Sequence, residues 1–365
     1  MQADRLVFLS VVPSPYQRDV FAAIAARGRV PLAVHYLERA APDSPWPTEA
    51  LTSWEDILPG FTLGRGRWRS HCNWRHPRPR AGDHWVVNGS MTDVTTQWIM
   101  RRLGRKIPWY FWGELPSAPA GAWCRWLQAR QYAPLRAARA IVSVGRRAQA
   151  AYERLMPGVT VLNQPYACRL EDFAAAATRR TSNPEPVFLF CGQMIARKGI
   201  DLLLRSFAQL VAEGVAARLL LVGREGELPG LVAELNAETR DRIIYAGFQP
   251  ASELPAYFGS ADVFVLPSRH DGWGVVVNQA FGAHLPVICS DAVGAGIDLV
   301  ENGVNGLLIP AGDANVLAGA MRKLALSPEL RRTFGAAAAV TVEHLSPGSA
   351  AEFWESLAGR GLRPC

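Results

Sequence analysis

Short apolar runs closed by glycine, proline or a charged residue recur along the whole chain. RLVFLSVV, PLAVHYL, HWVVN, PWYFW, AIVSV and TVLN lie in the first half, and PVFLFCG, ARLLLVG, RIIYAG, DVFVLP, PVICS and GLLIP in the second. Runs of this kind, bounded by turn residues, read as buried strands. Between many of them the pattern becomes helical. After PVFLFCG, the residues Ile200, Leu203, Leu204, Phe207, Ala208 and Val211 fall on one helix face. Strands alternating with helices predict an α/β chain with parallel sheets, and six strands in each half predict two similar doubly wound domains rather than one sheet of twelve. The stretch 173–186, FAAAATRRTSNPEP, has no strand pattern and ends in two prolines, so it is expected to be the linker.

With 365 residues the chain is long enough for two cores and a cleft between them. Apolar residues at 49% and charged residues at 19% exclude both a disordered chain and a membrane-embedded one. RLVFLSVV is too short for a signal-peptide core and no window nears 18 uninterrupted apolar residues, so a cytoplasmic protein is expected. The six cysteines, Cys72, Cys124, Cys168, Cys191, Cys289 and Cys365, are far apart and form no CxxC pair. Neither a zinc site nor a disulfide framework follows from them, and they read as mostly buried thiols.

The net charge of +7 hides an asymmetry: residues 1–180 hold 25 basic and 13 acidic side chains, the remainder 14 and 19. A basic half suits anionic lipid or phosphorylated ligands, with an ordinary solvated surface as the alternative. Residues 64–80, GRGRWRSHCNWRHPRPR, concentrate arginine, tryptophan and histidine. They could contact anionic headgroups at the inner membrane face or a phosphorylated acceptor; the alternative is an irregular loop whose tryptophans cover the core. No helix-turn-helix, RRM or zinc-finger pattern accompanies them, which argues against nucleic acid.

Two stretches of the second half carry chemistry. In FLFCGQMIARKGIDLLLRSF a buried strand runs into a glycine-bearing loop, then Arg197, Lys198 and Gly199, then an amphipathic helix. Free backbone N–H groups at the helix start, with two cations beside them, suit a phosphate or diphosphate. In DGWGVVVNQA, Asp271 and Gln279 stand eight positions apart, a little over two helical turns, so they can reach two parts of one elongated, hydroxyl-rich ligand. The alternative is a carboxylate interacting with a helix dipole and an exposed glutamine.

Taken together, GQMIARKG (192–199), PSRHDGWGVVVNQAFGAHLPV and ENGVNGLLIPAGD resemble the retaining family 4 glycosyltransferases of the GT-B fold in order and spacing, over most of the second domain. The resemblance implies two Rossmann-like doubly wound domains facing an interdomain cleft: 1–178 on the acceptor side, 179–345 binding the nucleotide-sugar donor, and 346–365 a helix crossing back to the first domain. It implies that Arg197 and Lys198 hold the donor diphosphate. It sets Asp271 where the family has a glutamate facing the donor sugar, and Gln279 where a second glutamate binds the ribose hydroxyls. Gly192, Gly199, Gly272, Trp273, Gly274, Val275 and Val276 would complete the donor site. Arg224 and Phe248, in the loops 223–226 and 247–250, are the candidates beside the base. Asp271 keeps the charge and loses one methylene of reach, whereas Gln279 keeps the length and loses the charge but still accepts a hydrogen bond.

The first half resembles the family more loosely. SVVPSPYQRDVFAAIA puts Ser14 and Tyr16, and WVVNGSMTD puts Gly89 and Ser90, at strand ends on the acceptor side. PWYFWGELPS puts Glu114 where many members have a histidine near the acceptor; it could deprotonate or position the acceptor hydroxyl, or be a structural glutamate paired with an arginine. The implied activity is metal-independent, cofactor-free transfer of a sugar from a nucleotide-diphosphate sugar to a sugar or lipid-linked acceptor, with retention, in polysaccharide or glycolipid biosynthesis. The two departures at Asp271 and Gln279 motivate the alternative, a catalytically silent GT-B protein that binds nucleotide sugar or a partner. A nicotinamide-dependent oxidoreductase is disfavoured, because VGAGIDLV has Leu299 where the third glycine belongs.

Overall fold

A computed structural model describes residues 4–41, 50–64, 69–119 and 121–359. The strands are β1 (Arg5–Ser10), β2 (Leu32–Tyr36), β3 (Glu55–Ile57), β4 (Gly60–Leu63), β5 (Ser70–Asn73), β6 (Asp83–Asn88), β7 (Trp109–Gly113), β8 (Ala140–Ser143) and β9 (Val161–Asn163), then β10 (Val187–Cys191), β11 (Arg218–Val222), β12 (Ile243–Tyr245), β13 (Val263–Leu266), β14 (Val287–Ser290) and β15 (Gly306–Ile309). Seven of them form a parallel sheet in the order β3-β2-β1-β6-β7-β8-β9. Six form a second parallel sheet in the order β12-β11-β10-β13-β14-β15. In each sheet the winding direction reverses once, between β1 and β6 and between β10 and β13. Such a switch point separates the loops that leave the carboxyl ends of its two strands and opens a crevice for ligands.

Every apolar run read as a strand is one, but three strands come from segments without that pattern. β3 carries Glu55 in a buried position, where it accepts from Arg18 at 2.7 and 2.8 Å and from the Tyr36 hydroxyl at 2.7 Å. An ion pair here replaces the apolar side chain that a strand pattern looks for. β4 and β5 pair antiparallel, and β5 lies within the arginine-rich segment 64–80, which is therefore not an irregular loop throughout. Trp74 is exposed and stacks near Phe61 instead of covering the core, while Trp68 falls outside the described residues.

Two compact units are present, Met1–Ala167 with Pro347–Cys365, and Cys168–Ser346. The expected linker 173–186 begins as part of the helix Glu171–Thr178 of the second unit, and only 179–186 are irregular. Its apolar side packs there: Phe173 lies edge-on to Phe258 at 5.3 Å, and the absence of a side chain at Gly259 lets the backbone at Ala176 approach. Within the first unit the helix Pro347–Gly359 inserts Trp354 against Phe8 (5.4 Å) and Trp112 (5.0 Å), and the Tyr110 hydroxyl donates to Leu357 O at 3.0 Å. Cys168, Cys191 and Cys289 are buried, whereas Cys124 is exposed, Cys72 is half-buried and Cys365 lies outside the described residues.

The hairpin β4–β5 covers a polar cluster. Glu38 accepts from Thr62 Oγ1 at 3.0 Å and pairs with Arg69, and His71 Nδ1 sits 3.3 Å from the same carboxylate. The His71 backbone N–H donates to Asp93 Oδ1 at 2.8 Å. Burial pushes the Asp93 carboxyl up to about 6. A carboxyl raised in the folded state contributes its stability below its unfolded pKa and loses it as pH rises through the folded value. Asp93 should therefore destabilise the unit progressively between about pH 4 and pH 6, and Asp93→Asn, which keeps an acceptor for His71 N–H, should flatten that slope in chemical denaturation; an unaltered slope would contradict the assignment. Trp354→Ala should lower the stability of the first unit by about 3–5 kcal/mol, read as a lower urea midpoint, and an unmoved midpoint would show that the helix is dispensable to this core.

Candidate active site

The loop after β10 is built on close backbone approach. A side chain at Gly223, which has φ 139°, would lie 1.9 Å from Gly192 O, so the two glycines let the ends of β10 and β11 touch. The chain then makes a tight turn, Ala196–Lys198, and enters the helix Ile200–Ala212 through Gly199, whose φ is 74°. A Cβ there would meet Pro267 O at 2.2 Å. The Arg-Lys-Gly turn is thus pressed against the loop that follows β13.

That second loop fastens itself to the first. The Arg269 N–H donates to Arg197 O at 2.8 Å, and its guanidinium donates to Ala196 O at 2.6 Å and to both Asp201 oxygens at 2.6 and 2.7 Å. Hydrogen bonding to Arg269 holds the Asp201 carboxyl below its usual range. Arg197, at the surface, donates to His270 O at 3.3 Å. Lys198 Nζ lies 2.5 Å from Asp271 Oδ2, with both side chains largely enclosed. The two residues expected to face different parts of a donor are therefore bonded to each other. An ammonium has three N–H groups, so this ion pair aims the lysine and leaves further N–H vectors for an anion.

Beyond Asp271 the chain crosses close to the next loop: a side chain on Gly294 would lie 2.3 Å from Gly272 O, and Gly274 begins the helix Val275–Gly282 with φ 89°. Val275 and Val276 are half-buried at that helix start. Trp273 departs from the expected role. Its indole is 1% exposed and donates from Nε1 to Asn278 Oδ1 at 3.0 Å, so it supports the loop from the core side instead of lining it. Gln279 is half-buried, and its Oε1 is enclosed with no hydrogen-bond partner among the described residues. A buried acceptor left in that state is a position where a ligand hydroxyl would restore a lost hydrogen bond. Burial pushes the nearby Cys191 thiol up to about 12, which makes it an inert part of the strand end.

Arg224 and Phe248 leave the ends of β11 and β12 and meet, with the guanidinium 5.8 Å from the ring centre. Both are exposed. Sequence reasoning missed Arg269 and Ser268 in this unit. Ser268 is fully buried, its Oγ has no hydrogen-bond partner among the described residues, and its carbonyl accepts from Ser290 Oγ at 2.5 Å. The signal available for both was their place in PSRHDG, between a strand end and Asp271.

The first unit has a polar group at its own switch point. Ser10 Oγ lies 2.7 Å from Gln17 Oε1 and 3.0 Å from Asn88 Oδ1; Gln17 Nε2 donates to Asn88 at 2.8 Å, and Asn88 Nδ2 donates to Trp112 O at 2.8 Å. Tyr16 packs on Tyr166 at 4.8 Å, and burial, reinforced by the Glu114 carboxylate, holds the Tyr166 hydroxyl well above its usual pKa. Tyr166 thus gathers Glu114, Tyr16 and Asn88 around it, and the Glu114 carbonyl accepts from Tyr152 at 2.9 Å. Ser14 is buried at the helix start Pro15–Arg27, and the missing side chain of Gly89 admits Thr96. Ser90 bonds Thr92 at 2.8 Å on the exposed side. Gln17 and Asn88 were missed, although an asparagine that closes the apolar run HWVVN was a readable sign.

Residues 175–341 match the family described as Glycosyl transferases group 1. The alpha-D-kanosaminyltransferase of Streptomyces kanamyceticus is 28% identical over 178 residues, covering 48% of this chain and 44% of that protein. The chain therefore spans less than half of this curated relative. Solved structures align over nearly the whole chain: sucrose-phosphate synthase (tll1590) from Thermosynechococcus elongatus with TM-score 0.69 and 22% identity, covering 97% of this chain and 98% of that one, and Anabaena Alr3699/HepE in complex with UDP with TM-score 0.71 and 15% identity, covering 98% and 100%. The sheet orders, the loops at the switch point and these likenesses converge: the chain has the GT-B fold, and residues 175–341 are similar to the glycosyl transferases group 1 family.

Proposed function

We propose that this protein is a retaining glycosyltransferase that moves a sugar from a nucleotide-diphosphate sugar to the hydroxyl of a sugar or lipid-linked acceptor in polysaccharide or glycolipid biosynthesis. The observation that carries the reading is the joining of Arg197, Lys198 and Asp271 at the switch point of the second sheet, through Arg269 and the 2.5 Å ion pair. The Anabaena structures whose chains align here hold UDP and UDP-glucose, which supports a uridine or related nucleotide.

When the glycosidic bond breaks, negative charge grows on the departing diphosphate and positive charge on the sugar ring. Arg197 and Lys198 would stabilise the diphosphate, supplying the charge that a divalent metal supplies in other designs, so the mechanism needs no metal or cofactor. Asp271 holds Lys198 in place and would face the donor sugar. Gln279 would accept a hydrogen bond from a ribose hydroxyl, and Arg224 with Phe248 would flank the base. The acceptor hydroxyl attacks from the face the diphosphate leaves, and a diphosphate oxygen takes its proton. In the first unit, Glu114, Tyr16, Ser14, Gly89 and Ser90 are the acceptor-side candidates, with Gln17 and Asn88 added by their hydrogen bonds.

The test starts with thermal stability against UDP, GDP, dTDP and ADP sugars, with NAD as control. A ligand of the native state at about 100 times its Kd adds about 2.7 kcal/mol, so one nucleotide family should raise the melting temperature. With that donor, Arg197→Ala should lower kcat/KM by about 2–4 kcal/mol of transition-state stabilisation, and the product's anomeric configuration, read by NMR, should match the donor's. An unchanged kcat/KM in Arg197→Ala, or inversion, would refute the mechanism.

A further inference from the structure

The first unit carries a helix with almost nothing buried beneath it. Of the twelve residues of Gly121–Tyr132, only Tyr132 is buried, and residues 121–126 are all exposed. Trp123 and Trp126 are 70% and 48% exposed and stack on each other at 4.8 Å. Two large aromatic side chains side by side in water are unusual on a surface without a partner.

The neighbouring helix Val94–Leu103 repeats the arrangement. Gln97 Nε2 donates to Gln131 O at 3.0 Å and so joins this helix to the end of the other. Trp98 is 40% exposed with the Arg102 guanidinium 5.1 Å from its ring centre, and Arg130 stands at the same 5.1 Å from Trp126. In both cases the arginine follows its tryptophan by four residues. The charge around them is of one sign: from residue 94 to 152 there are ten lysines and arginines and a single acidic residue, Glu114. Such a surface attracts a partner of dense negative charge that also accepts indole rings.

We propose that these two helices form a docking surface for an anionic lipid bilayer, with Trp98, Trp123 and Trp126 seated at headgroup depth and Arg102, Arg125 and Arg130 against the lipid phosphates. Tryptophan rings favour that boundary, and arginine stems lie along apolar surface while the charged ends stay with the headgroups. No helix among the described residues is long and apolar enough to cross a membrane, so the contact lies on the surface. A bilayer fits better than a nucleic acid because Trp126 already carries Trp123 and Arg130 against its ring, which leaves less ring face for a stacked base. The surface belongs to the first unit, and the proposal does not depend on the sugar-transfer reading.

The intact protein should co-float with vesicles of phosphatidylcholine and phosphatidylglycerol, bind far less to phosphatidylcholine alone, lose binding as salt is raised, and show a blue shift of tryptophan emission. W123A/W126A should weaken binding by about tenfold or more, and R125Q/R130Q should weaken it together with its salt dependence. Both variants should keep the wild-type circular dichroism and the wild-type response to nucleotide sugars, which separates loss of docking from loss of fold or of the donor site. Equal binding to neutral and anionic vesicles, wild-type binding by W123A/W126A, or stronger capture by a single-stranded oligonucleotide at the same salt would each overturn the proposal, the last by reassigning the surface to nucleic acid.

Discussion

Two strands that are neighbours in space but distant in sequence must present their loops together, and in the second sheet this falls to β10 and β13. Arg269 does the joining. Its backbone N–H closes on Arg197 O, and its side chain reaches Ala196 O and Asp201. As an exposed ion pair, Arg269 with Asp201 adds little stability, typically within about 1 kcal/mol. Its value is geometric, since it holds the Arg-Lys-Gly turn where Lys198 meets Asp271. The contact between Lys198 and Asp271 depends on that alignment.

The Lys198–Asp271 pair sits in a different regime. Both side chains are mostly enclosed, so removing either one leaves a desolvated charge behind, a far larger penalty than loss of a surface contact. The shorter Asp in place of a family glutamate fits this role, because the backbone around it comes close: Gly272 O nearly touches Gly294, and Gly274 adopts a conformation that disfavours side chains. A shorter acid on a tighter loop can still bring its carboxylate to the lysine. Gln279 contributes differently, as a neutral acceptor with no partner among the described residues.

The same topology serves the first sheet with other chemistry. At its switch point the side chains are neutral amides and hydroxyls, Ser10, Gln17 and Asn88, with Glu114 and two tyrosines beside them. Ser10, Gln17 and Asn88 can hydrogen-bond without adding charge, in contrast to the cations at the other switch point. The basic charge of this unit is instead displayed on its helices, around exposed tryptophans.

The alternation of apolar runs with helical faces determined twelve strands and the doubly wound class, because burial on both faces of a parallel sheet demands continuous apolar segments that survive any change of neighbours. The spacing in GQMIARKG and DGWGVVVNQA likewise made the two loops at the switch point readable, since glycines and charges at loop positions have few structural substitutes. Only the tertiary structure decided what those residues touch. Lys198 and Asp271 are 73 positions apart, and no local pattern records an ion pair at that separation. Trp273 looked like a loop residue facing a ligand, yet the loop folds it inward, where its N–H finds Asn278. β3 escaped the pattern because Arg18, from a helix, neutralises its buried Glu55, and the first part of the apparent linker is helical because Phe173 and Ala176 find a surface at Phe258 and Gly259. Sequence order sets which side chains can be buried; long-range pairing sets which buried or charged groups satisfy one another.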